Sequence, residues 1–145
     1  MTKKGALLLV FRLLVGGVFV YSGIVKALDP LDFAEQVRNY RTVGQDLAFL
    51  VAVYLPWLEV LAGAFLVAGV LKKASAALIS LLLGGFIVLV AVTIIRGIDV
   101  DCGCFGTLSR RADWRLLLED VVFFGMSLAV LLARKKARSG PAAPR

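Results

Sequence analysis

The chain has 145 residues, 60% of them hydrophobic, and a mean hydropathy of +0.89. Histidine is absent, which removes the usual general base and the commonest metal ligand. The net charge of +7 would suggest a nucleic-acid partner in a soluble protein, but the basic residues gather at the ends of apolar runs, where they orient a membrane protein instead.

Four apolar runs follow one another, at about residues 5–28, 47–71, 74–96 and 114–133. A hydrocarbon core of about 30 Å needs roughly 20 helical residues, so each run is long enough to cross. None shows the alternation of a barrel strand, and within lipid only helices or closed barrels satisfy their own backbone groups. The expectation is therefore an all-α integral membrane protein: an antiparallel four-transmembrane-helix bundle forming one domain over residues 1–138, with a disordered Ser/Gly/Pro/Ala tail at 139–145.

The first run follows Lys3 and Lys4, as a signal peptide would. It is too long for a signal core, is interrupted by Arg12 and has no small-residue cleavage site after it, so it reads as a retained helix. Gly16, Gly17, Ser22 and Gly23 would let a second helix approach closely. Asp29-Pro30 should end this helix, because proline disfavours helical geometry in the residue before it. Between Leu31 and Asp46, the apolar Phe33, Val37 and Tyr40 recur at i, i+4 and i+7, which predicts a short amphipathic helix at the interface. The second span contains Pro56, tolerable in a membrane helix whose neighbours re-satisfy the freed backbone. Lys72-Lys73 is expected to form the tight turn into the third span.

With four spans, both termini and the Lys72-Lys73 turn share one side. That side holds Lys3, Lys4, Lys72, Lys73, Arg134, Lys135, Lys136, Arg138 and Arg145 and no acidic residue. The other side mixes its arginines with Asp29, Asp32, Glu35, Asp46, Asp99, Asp101 and Asp113. Basic residues favour the cytoplasm, so the reading is an inner, multi-pass cell-membrane protein with cytoplasmic termini and an extracytoplasmic loop between the last two spans. Disulfides persist on that side.

That loop carries Asp101-Cys102-Gly103-Cys104-Phe105-Gly106, including both cysteines of the protein. A disulfide at C-x-C spacing makes a small, strained ring, easier to reduce than a structural bond. It closes almost no loop, so chain entropy gives it little stabilising effect. Gly103 supplies the freedom the ring needs and Gly106 a second bend. Redox chemistry at Cys102 and Cys104 is the favoured reading, against two free thiols at a helix end. Two thiolates are only half a zinc set, and no metal site is expected.

Ionisable residues within spans are costly and mark function or register. Counting from the ends of the runs puts Arg12 and Glu59 at similar depths, which predicts an Arg12–Glu59 pair. The same counting places Lys26 near the outer face, with Asp120 or Glu119 as its expected partner. Tyr21, Ser22, Trp57 and Arg96 are the expected residues of a pocket beneath the cysteine loop.

The first span, from Arg12 through Ser22-Gly23-Ile24-Val25-Lys26 to Asp29-Pro30, resembles that of DoxX-like membrane proteins. Pro56-Trp57-Leu58-Glu59, the following Gly63 and Gly69, the Cys102-Gly103-Cys104-Phe105-Gly106 block and the acidic Asp120 resemble the MauE (methylamine utilisation) branch of that family. The likeness runs from about Arg12 to Leu132. It implies a four-helix bundle associated with extracytoplasmic redox processes. In the MauE case these concern maturation of a disulfide-rich methylamine dehydrogenase subunit alongside a thioredoxin-like partner; other DoxX relatives are linked to quinone-dependent sulfur oxidation. The architecture is also similar to that of the DsbB and vitamin K epoxide reductase oxidases. Those use C-x-x-C and a second cysteine pair, whereas this chain has C-x-C alone, so a partner would have to bring the other dithiol.

Two functions follow. The first is a membrane thiol–disulfide oxidoreductase component, in which a thioredoxin-fold partner exchanges with Cys102–Cys104 and a membrane quinone is the candidate acceptor. The second is a non-enzymatic membrane subunit or maturation factor that anchors a redox partner.

Overall fold

The computed structural model describes residues 3–98, 101–102, 110–111 and 114–133. Five helices carry the architecture: α1 (Lys3–Leu28), α2 (Pro30–Asn39), α3 (Gln45–Ala68), α4 (Lys72–Ile95) and α5 (Trp114–Leu132). A two-residue antiparallel ladder joins β1 (Asp101–Cys102) to β2 (Arg110–Arg111), with Asp101 opposite Arg111 and Cys102 opposite Arg110. Gly103, Cys104, Phe105, Gly106 and the 139–145 tail lie outside the described residues.

Three helices, α1, α3 and α4, are long and apolar enough to cross a membrane. At 1.5 Å per residue they measure about 36–39 Å, more than the hydrocarbon core. Their outward faces carry Leu7, Leu13 and Leu14 on α1, Tyr54, Trp57 and Leu61 on α3, and Leu81, Val88 and Ile95 on α4, all exposed. So continuous an apolar surface would be an aggregation hazard in water and is the natural boundary with lipid. The chain is a multi-pass membrane protein. α5 has 19 residues but carries Arg115, Glu119 and Asp120 within its first seven, and it is not among those three helices.

The helix ends follow local chemistry. Asp29 breaks α1 from α2 and caps the latter, its carboxylate accepting the Asp32 N–H at 3.1 Å while Pro30 takes the first helical position, where its missing N–H costs nothing. The tight turn before α4 lies at residues 69–71, not at Lys72-Lys73 as the sequence suggests. Gly69 ends α3 in the left-handed region (φ +79) and donates its N–H to the Phe65 carbonyl, so both lysines fall in the first turn of α4.

α1 and α3 pack antiparallel at backbone contact distance. A Cβ on Gly16 would lie 2.9 Å from the Gly63 carbonyl oxygen, and one on Gly23 would lie 2.6 Å from that of Pro56. These glycines replace side-chain packing with backbone approach, as small residues do between membrane helices. α4 and α5 are joined by a buried hydroxyl pair, Ser80–Ser127 at 2.9 Å, with Ser127 also donating to the Ala76 carbonyl at 3.0 Å. Val15, Phe19, Ala62, Leu66, Ala76, Ile79, Leu83 and Val130 form the core where α1, α3, α4 and α5 meet.

Candidate functional site

The register of α1 against α3 decides which intramembrane charges meet. Opposite Gly63, which lies near the end of α3, stands Gly16, far from the start of α1. α1 therefore overshoots the end of α3 by about 8 residues, or about 12 Å at the helical rise. This stagger overturns the expected Arg12–Glu59 pair. Arg12 instead reaches the C-terminal carbonyls of α3, with Nε donating to Leu66 O at 3.1 Å and Nη2 to Val67 O at 3.2 Å. A guanidinium there satisfies orphan carbonyls and complements the negative end of the helix dipole.

Glu59 is met by Lys26. The Lys26 Nζ donates to both carboxylate oxygens, at 2.8 and 3.0 Å, and both residues are buried (8% and 7% exposed). The expected pairing of Lys26 with Asp120 or Glu119 is corrected accordingly, although the Lys26 charge still acts on Asp120. Backbone contact one turn away sets up the pair. Gly23 and Pro56 touch, and Lys26 and Glu59 each follow three residues later on their own helices. Pro56 is fully buried and lacks the N–H that would bond the preceding turn. The Lys26 ammonium also stands 5.0 Å from the centroid of the Phe33 ring on α2, a cation–π geometry.

Lys26 and Glu59 lie in the wall of a cavity of about 190 Å³ formed by all five helices. Its lining is mainly apolar, with Phe19, Phe33, Phe86, Leu116 and Phe123 among the walls. Ser22, Gln36, Glu119 and Asp120 add polar groups. Two of these present buried oxygens without a hydrogen-bond partner among the described residues, Gln36 Oε1 and Asp120 Oδ2. The Gln36 orientation is fixed by its other end, where Nε2 donates to Asp32 Oδ2 at 2.6 Å. The oxygen left in the cavity wall is therefore an acceptor.

The structure thus gathers Lys26, Glu59, Ser22, Glu119 and Asp120, five residues that the sequence singles out, around one cavity. It leaves out others. Tyr21 and Trp57 lie on outward faces (53% and 62% exposed), and Arg96 caps α4 at an exposed position, so none of these three lines the cavity. Alternation of faces explains it: Tyr21 precedes Ser22 by one residue, about 100° around the helix, and turns to lipid when Ser22 turns inward. Of the loop for which the sequence predicts redox chemistry, the backbone of Asp101 and Cys102 is described and Cys104 is not.

The chain matches the family described as methylamine utilisation protein MauE over residues 4–133. It belongs to the MauE family. The methylamine utilization protein MauE of Paracoccus denitrificans is 30% identical over 121 residues, which cover 82% of this chain and 65% of that protein. The protein of the same name from Paracoccus versutus is 29% identical over 131 residues, 89% of this chain and 70% of its own length. The chain thus spans about two thirds of the curated relatives it matches. No solved structure matches it.

For this MauE-family chain, sequence reasoning missed Gln36 and the role of α2. Phe33, Val37 and Tyr40 read as the apolar face of an interfacial helix, yet that face closes the cavity and Tyr40 is buried. The available signal was Gln36 itself, three residues after Phe33 and four before Tyr40, a polar residue inside an apolar stripe.

Proposed function

We propose that this MauE-family protein is a four-helix component of the cell membrane that carries out thiol–disulfide exchange on the extracytoplasmic side, serving methylamine utilisation. α5 is the fourth span in this reading. Its length of about 28 Å at the helical rise matches the hydrocarbon core, and Asp120 is partly buried in the cavity wall, while Glu119 borders the cavity from an exposed position. Four spans put both termini and the Lys72-Lys73 end on the cytoplasmic side and the cysteine loop outside.

The chemistry runs through Cys102 and Cys104. A thiolate of a thioredoxin-fold partner attacks one sulfur of the Cys102–Cys104 disulfide, giving a mixed disulfide and releasing the other sulfur as thiolate. The partner's second thiol then resolves the mixed bond. The partner leaves as a disulfide and this chain holds two thiols. Transfer of two electrons and two protons to a membrane quinone restores the disulfide and yields the quinol.

One observation carries the reading. Between the end of α4 and the start of α5, Cys102 pairs through its backbone with Arg110, and the same two helices contribute Leu89 and Leu116 to the wall of the charged cavity. This supports reading the Cys102 segment and the polar cavity as parts of one functional end of the protein. The test is the reduction potential of the pair, measured by thiol alkylation of protein in lipid nanodiscs across glutathione and dithiothreitol buffers. A value well above about −300 mV, below which structural disulfides typically lie, is expected. A bond that stays closed far below that value, or one that never forms, would leave only a scaffold that anchors a partner.

A further inference from the structure

The cavity has chemistry that the protein itself leaves unused. Its volume of about 190 Å³ exceeds the roughly 150 Å³ of an engineered apolar cavity that takes up benzene, so it admits one six-membered ring with small substituents. Its walls are chiefly aromatic and aliphatic, which suits such a ring. Two acceptor oxygens in its wall, Gln36 Oε1 and Asp120 Oδ2, have no hydrogen-bond partner among the described residues. Buried polar atoms without partners are uncommon in folded proteins and costly, so a group that satisfies them is favoured. Lys26 is the one basic side chain among the residues lining the cavity, and Glu59 already occupies two of its donors.

A ligand that fills this chamber and satisfies those two oxygens brings an apolar ring and two hydrogen-bond donors. A quinone ring presents only carbonyl acceptors, and one of these against Gln36 Oε1 would be repulsive. The reduced ring presents two hydroxyl donors. On these grounds, and resting on the quinone-linked reading above, we infer that the cavity is a binding site for the dihydroxy (quinol) form of a membrane quinone, its hydroxyls donating to Gln36 and Asp120.

The site then holds the product of thiol reoxidation in preference to the oxidised ring. Two protons and two electrons leave the Cys102 and Cys104 thiols and arrive on the ring oxygens, and both new O–H groups find acceptors. Phe33 and Gln36 sit on α2 and Asp120 on α5, so ligand binding ties the short outer helix to the bundle.

Equilibrium dialysis tests this under anaerobic conditions, with quinone-free protein in nanodiscs. The probes are a short-chain benzoquinol, the corresponding benzoquinone and the dimethyl ether of the quinol. The quinol should bind more tightly than either of the others, by about 5-fold for each neutral hydrogen bond and more where the acceptor is ionised. Gln36→Met and Asp120→Leu keep side-chain bulk, remove one acceptor each and should bring the quinol-to-quinone ratio toward one. The ratio in the unaltered protein needs no variant, so misfolding of a variant does not rescue the idea. Equal binding of all three probes, or no saturable binding, overturns the site. Quinol preference together with a cysteine pair that never exchanges would uphold the site and sink the thiol–disulfide reading. A working cysteine pair without quinol preference would do the reverse.

Discussion

Replacing Lys26 by methionine should damage the protein far more than replacing Glu59 by glutamine. Both residues are over nine-tenths buried, and the Nζ sits 2.8 and 3.0 Å from the two carboxylate oxygens. Breaking such a pair from one side leaves an uncompensated buried charge, at a cost of about 3–5 kcal/mol. The two sides are not equivalent. Lys26→Met strands Glu59 beside Glu119 and Asp120 in a cavity whose lining then holds no basic residue. Glu59→Gln leaves Lys26 with the Asp120 charge still acting on it and the Phe33 face 5.0 Å away. The expected losses are therefore near the top of that range for Lys26→Met and near or below its bottom for Glu59→Gln. The double variant should recover much of the loss, because it removes both charges together. A double-mutant cycle on reversible unfolding in mixed micelles would measure this. Neutral interhelical hydrogen bonds in membranes couple by about 0.6 kcal/mol on average and about 1.7 at most, so a coupling above about 2 kcal/mol marks the ion pair. Additive losses, or equal losses from the two single variants, would refute the reasoning.

Gly23→Val should separate α1 from α3, because its Cβ would meet a backbone oxygen at 2.6 Å, which cannot swing aside as a side chain could. A stability loss of about 1–3 kcal/mol is expected, and introduced cysteine pairs across the two helices would report the widened spacing by slower crosslinking. Arg12→Leu removes two bonds to the terminal carbonyls of α3 and should cost about 1–3 kcal/mol. Arg12→Lys should retain only part of it, since an ammonium lacks the planar fork, and thermal unfolding of both variants would check the order. Ser127→Ala removes the bonds to Ser80 and to the Ala76 carbonyl, and should loosen α4 from α5 by about 1 kcal/mol on the same assay.

Much of the architecture was legible because membrane helices announce themselves by length and composition. The breaks were legible too: Asp29-Pro30 ends α1 and begins α2 by a rule that reads one residue at a time. The ion pairs were not, and the reason is geometric. Depth counted from the end of an apolar run fixes each helix against the membrane, but pairing depends on how two helices slide against each other. Arg12 and Glu59 each lie nine residues inside the ends of their helices, yet the backbone contact at Gly16 and Gly63 staggers those ends by about 12 Å. Small residues in the sequence mark points of close approach; which glycine meets which requires the three-dimensional register. The same holds for faces. Ser22, Lys26 and Glu59 turn inward, while Tyr21 and Trp57, one and two residues away, turn outward.

The register also explains why Pro56 is well placed within a span. A helix that crosses lipid can spare a backbone hydrogen bond only where another element covers the gap. The carbonyl that Pro56 frees is that of Ala52, which is itself buried in the bundle, and the bare Gly23 seats α1 directly against the Pro56 carbonyl one turn further on. Any larger residue at position 23 would push α1 away and carry Lys26 with it, lengthening its reach to Glu59. Helix packing and site electrostatics are thus one constraint, and a substitution meant to probe either will move both. The informative comparison is therefore Gly23→Val beside Lys26→Met in the same unfolding assay. If the ion pair depends on the glycine contact, combining the two should cost clearly less than the sum of their separate effects, because the first change has already pulled the pair apart.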